Sequence, residues 1–272
     1  MISRRLGLWI LLIVTIAILV VDVKMLPRIP QPQSYHAFAD QRSFLGVPHF
    51  ADVVSNAPFA IFGLWGLIFL LRYSPEELQE HFLDTRERWF YVIISIGLFL
   101  TAFGSGYYHL DPGNARLVWD RLPMTIVFMS LVAALIAERM SLRVGLWLLP
   151  VLLVIGVSSV LQWYISEMRG AGDLRFYGTV QAYAVIFVLL AVLFPAPYTH
   201  GSDLLLIAGF YILAKVLEIL DKPIFSLGHI VSGHTLKHLA AALAGYSILR
   251  MIRRRRPIHM PTLATDEWRS LS

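Results

Sequence analysis

Long apolar runs separated by short polar connections make up most of the chain, and the runs are continuous rather than alternating. A stretch such as "LGLWILLIVTIAILVV" has the length of a helix that crosses a hydrocarbon core, which takes about 20 residues. Eight such blocks are expected, at roughly 7–26, 51–71, 89–109, 120–138, 143–163, 178–195, 203–220 and 229–250. A transmembrane β-barrel would instead show alternating segments of about 10 residues, so the continuous runs exclude it. The expected fold class is all-α, a polytopic membrane helix bundle. Three parts follow: an N-terminal transmembrane helix over 1–26, a membrane domain over 27–250 and a basic, disordered tail over 251–272. A short polar helix is expected between the second and third blocks, started near Ser74-Pro75.

Composition agrees with this pattern. Of 272 residues, 57% are hydrophobic and 15% charged, and the mean hydropathy is +0.65. The first block follows Arg4 and Arg5 but lacks a small-residue cleavage pattern at its exit, so a retained helix is expected. Arg72, Arg86, Arg88, Arg139, Arg143 and the run "RMIRRRR" fall on one side if eight helices alternate. By the positive-inside rule both termini are then cytoplasmic, in a multi-pass protein of the cytoplasmic (inner) membrane. The formal charge of +5 comes largely from that final arginine run. A run so close to a span sets topology and touches anionic lipid, and no nucleic-acid partner is expected.

Zero cysteines exclude disulfides, iron–sulfur clusters and thiolate zinc sites. Any metal must be held by nitrogen and oxygen. Ionisable groups inside spans are costly and face a bundle interior or a wet cavity. Ser105 and His109 share a helical face four residues apart at the end of the third block. Asp120 opens the fourth block after a loop bent by Asp111-Pro112-Gly113. His234 and His238, also four apart, lie one turn into the eighth. Alternating spans put all five at one depth near one membrane face. Three imidazoles with an open position form the ligand set of a catalytic zinc site, in which water becomes nucleophilic at neutral pH. Asp120 then serves as general base, and Ser105 donates to a polarised carbonyl. A histidine pair at this spacing also suits interhelical hydrogen bonding or haem ligation, so these alternatives stay open.

"SGYYH", the aspartate of "DRLPM" eleven positions after that histidine, and "HTLKH" together resemble the alkaline ceramidase family, part of a wider set of membrane hydrolases that includes adiponectin-receptor-like proteins. "DVVSNAPF" extends the resemblance to residues 40–250. It implies a seven-helix core plus the extra N-terminal helix. It also implies Zn2+ on His109, His234 and His238, with Ser105 and Asp120 assisting hydrolysis of a lipid amide such as ceramide. Two positions depart from the family. The acidic, calcium-binding N-terminal segment of eukaryotic members is reduced to Asp40, with Gln41, Arg42 and Ser43 beside it, so calcium is not expected. Arg121 stands where many relatives carry an acidic residue. The competing expectation is a non-enzymatic receptor or lipid-binding protein that keeps a structural zinc.

Lys215, Glu218 and Asp221 read as an ion-pair cluster at the end of the seventh block, and Asn56 as a helix-packing group. His36, His49, His81, His200, His229 and His259 read as loop or interface residues without comparable partners.

Overall fold

The computed structural model describes residues 25–258, together with Ile13, Thr15 and Ala17. The N-terminal span expected over 7–26 and the tail beyond 258 otherwise lie outside the described residues. Among the described residues there is no strand, and the architecture is a helical bundle. Its helices are α1 (Phe50–Val54), α2 (Ala57–Arg72), α3 (Pro75–His81), α4 (Arg88–Leu110), α5 (Asn114–Arg139), α6 (Leu142–Met168), α7 (Arg175–Ala191), α8 (Asp203–Ile219), α9 (Asp221–Ser226) and α10 (Gly233–Arg254). The seven long ones, α2, α4 to α8 and α10, correspond to the second through eighth apolar blocks.

Among the described residues, four helical segments, Phe50–Arg72, Thr85–Leu110, Asn114–Arg139 and Leu142–Met168, are long and apolar enough to cross a membrane, as in a multi-pass membrane protein. Of the rest, α7 and α8 have 17 residues each, a length of about 25 Å at the lower limit for a span. In α10 the polar residues at both ends dilute the apolar centre.

Helix α5 is the axis of the bundle, packed chiefly between α4 and α6 and buried along most of its C-terminal half. The outer faces of α2 and α6 expose Ile61, Leu64, Trp147 and Val154. Such exposure of large apolar side chains is what a lipid-facing surface presents, because lipid tails are as apolar as the core. The main core joins α2, α4, α5, α7, α8 and α10, and a smaller one gathers Phe38, Tyr108, Leu117, Val160, Trp163 and Tyr177 at the opposite end from the arginine run.

Two helix starts beside the histidines differ from the sequence expectation. α5 begins at Asn114 rather than near Asp120, because Asn114–Trp119, in which only Asn114 and Arg116 are polar, contain no helix breaker once Gly113 has turned the chain. The loop from α4 is therefore only Asp111-Pro112-Gly113, and Asp120 lies inside α5. α10 begins at Gly233, where Ser232 caps the helix by accepting from Thr235 N, so His234 sits in its first turn. The short helix α3 starts where expected, with a capping box between Ser74 and Glu77.

Candidate metal centre

α4 and α5 are brought together beside the site by two sequence features. Pro123 has no N–H, which leaves the Trp119 carbonyl without its helical donor. Gly104 of α4 packs directly on that carbonyl, and any side chain at 104 would collide with it. The close approach places Ser105 and His109 next to the first turns of α5.

His109, at the end of α4, meets His234 and His238, on one face of α10. Their ligand atoms all lie within 4.8 Å of one another, and all three residues are buried. The Nε2 atoms of His109 and His234 are 3.3 Å apart. The Nε2 of His238 is buried with no hydrogen-bond partner. Its Nδ1 is 2.8 Å from Ser55 Oγ, which itself donates to the Asp52 carbonyl at 3.1 Å. With the hydroxyl proton so engaged, His238 Nδ1–H donates to Ser55 and leaves a lone pair on Nε2. Three buried imidazole nitrogens, one orphaned and two facing each other, fit a shared cation. The all-nitrogen donor set suits a borderline metal.

Phe38, from the segment that precedes α1, lies against the cluster with ring centroids 4.7 Å from His109 and 4.3 Å from His234. Asp40 beside it is gripped by Arg42, whose guanidinium also donates to the carbonyls of His229 and Ile230 at 2.7 and 2.9 Å. Asp221 accepts the backbone N–H groups of Ala39 and His234, both at 2.9 Å. The strap 37–49 is thereby tied to the start of α10.

Ser105, Asp120 and His238 line one cavity. The Ser105 hydroxyl is buried and has no partner. Away from these polar groups the cavity wall is apolar, formed by α5, α7, α8 and α10 as far as Leu131, Val188 and Ile248. From His238 to Ile248 it follows α10 for about 15 Å, at about 1.5 Å per residue.

Several supporting residues carry no signal at the level of spacing. Asp52, fully buried, accepts from Thr235 Oγ1 at 2.7 Å and fixes the first turn of α10. Asn56 donates to the Asp52 carbonyl at 2.8 Å, a bond within its own stretch of chain. Lys237 Nζ lies 3.0 Å from Glu218 Oε1 and 3.4 Å from His234 Nε2. The expected ion pair of Lys215 with Glu218 is present, but Asp221 leaves that cluster to serve α10. Three of the histidines read as loop or interface residues without comparable partners are engaged, His49 through its Nδ1, 3.2 Å from the Asp40 carbonyl oxygen. His36 bridges Tyr108 Oη and Asn114 Oδ1 at 2.8 and 2.9 Å, and His81 is buried against Tyr73 with rings nearly parallel.

Compared with known proteins, the chain matches no family model and no curated protein.

Proposed function

We propose that the chain is a zinc-dependent intramembrane hydrolase that cleaves the amide bond of a long-chain lipid such as ceramide, giving a sphingoid base and a fatty acid. The observation that carries this reading is the buried three-imidazole cluster, with ligand atoms within 4.8 Å, set at the polar end of an apolar cavity. His109, His234 and His238 are the residues that would hold the ion. When bound, zinc in such a nitrogen set polarises a carbonyl and acidifies water.

The chain's own residues supply the rest. Ser105, buried and without a partner, donates to the oxygen of the amide carbonyl as charge develops on it. Asp120 takes the proton from the attacking water and returns it to the leaving amine. The apolar wall between α5, α8 and α10 holds the acyl chain and keeps bulk water away. The arginine asymmetry of the connections supports a location in the cytoplasmic membrane with both termini on the cytoplasmic side.

Metal content of detergent-purified protein tests the reading. Wild type is expected to carry about one zinc per chain, and His238→Ala to lose it. Fatty acid release from ceramide is expected in wild type and not in His109→Ala, His234→Ala, His238→Ala or Asp120→Ala. A folded wild type without zinc overturns the proposal. Zinc with no turnover of any lipid amide would replace it by a receptor that keeps the metal for structure.

A further inference from the structure

A second chamber adjoins the apolar cavity and is unlike it in chemistry. It shares Asp120, Met124, Tyr211, Lys237 and Ala241 with its neighbour. Its charged lining is Arg121, Lys215 and Lys237 against Asp120 and Glu218, an excess of one positive charge. Glu218 is already saturated. It accepts from Lys237 at 3.0 Å, from Tyr35 Oη at 3.1 Å and from Lys215.

Arg121 has no such compensation. It is 5% exposed, stacked at 4.1 Å over Trp163 and 4.6 Å over Tyr177, and its Nη2 donates to the neutral Gln31 side chain at 2.7 Å. Its Nη1 is buried and has no partner. No carboxylate among the described residues forms an ion pair with it. A buried cation that keeps an unused donor beside a cavity is costly unless an anion completes it. The aromatic rings hold the guanidinium plane in place, and a planar, pre-oriented fork is suited to a carboxylate or phosphate.

We infer that this chamber is a subsite for an oxyanion, a carboxylate or phosphate, on the head of the amphiphile whose apolar chain fills the adjoining cavity. The inference rests on the proposed function only in placing the amide between the two chambers, where Asp120 and Lys237 line both. The preferred substrates are then acidic N-acyl lipids rather than neutral ones.

The test measures binding without turnover. The probes are the ketone isostere of N-palmitoylglycine, in which CH2 replaces the amide NH, and its methyl ester, each titrated onto the purified full chain. Wild type is expected to bind the acid about tenfold or more tightly than the ester, the worth of a charge-assisted hydrogen bond. Arg121→Gln should bring the ratio close to one. Lys215→Gln, at a half-exposed position, should lower it partially and keeps the test decisive if Arg121→Gln does not fold. Displacement of the acid by inorganic phosphate would support the subsite and extend it to free oxyanions. No displacement, with the preference intact, would support a lipid head group. Equal affinity for acid and ester in wild type, or a preference unchanged in both variants, would overturn it. Selective binding without hydrolysis of any amide would sink the hydrolase reading and leave this one standing, and hydrolysis indifferent to head-group charge would do the reverse.

Discussion

Ser55 determines which nitrogen of His238 faces the cluster. Its hydroxyl donates to the Asp52 carbonyl and accepts from His238 Nδ1, so the ring is held with Nε2 free. Groups that orient a ligand imidazole in this way are typically worth about 10–100-fold in metal affinity. Ser55→Ala is therefore expected to keep the fold and to give up zinc to a competing chelator at concentrations lower by that factor. Unchanged affinity in a chelator titration would show that packing alone orients His238. The three histidines themselves are legible in the sequence, because a spacing of four and a position at the end of an apolar block survive translation into geometry. Ser55 is not, since its contact spans 183 residues of chain. Arg121 is visible as an unusual residue beside Asp120, but its aromatic surroundings come from α6, α7 and Tyr35 ahead of the strap, which no local pattern connects.

At the scale of elements, the strap 37–49 is the part with no regular structure to announce it. Its order comes from specific charges. Hydrogen bonds from Arg42 to Asp40 hold that carboxyl below the ordinary carboxylate range. A depressed carboxyl stabilises the folded form above its unfolded value, and that contribution is lost as pH falls through the folded value. The strap should therefore loosen on acidification below the carboxylate range and not on mild acidification. The absence of cysteine allows one clean probe, a spin label at exposed Gln41 through Gln41→Cys. Its spectrum is expected to be that of an ordered segment at neutral pH, to sharpen at strongly acidic pH, and to sharpen already at neutral pH when Arg42→Gln is added. A line shape indifferent to both would show that Phe38 packing suffices to hold the strap. The helices, by contrast, are legible as blocks. Their ends are less so, because Asn114 and Arg116 interrupt the apolar pattern of a first turn that is nevertheless helical, and because the capping by Ser232 rather than hydrophobicity sets the start of α10.

Over the whole molecule, α10 joins two buried polar regions of opposite kind. One end carries the histidines, and the other leads into Arg255, a member of an arginine run whose composition reads as a lipid-facing tail. Arg255 is instead 1% exposed. It pairs with Glu138 at 2.7 Å and Glu87 at 3.4 Å and lies 3.8 Å over the Tyr198 ring. Its neighbours Arg253, Arg254 and Arg256 are exposed, as expected of the run, so one residue in four departs from it for reasons that lie on the turn before α4, on α5 and on the α7–α8 connection. Removing one partner of a buried ion pair leaves the others unpaired and costs about 3–5 kcal/mol. Arg255→Ala is therefore expected to lower the thermal unfolding midpoint in detergent by an amount corresponding to that loss. It lies about 25 Å along α10 from His238, at about 1.5 Å per residue, and should leave zinc per folded chain unchanged. If the folded fraction of Arg255→Ala also lost its metal, the two ends of the bundle would have to be coupled through α10, and the histidine cluster would not be an independently assembled site.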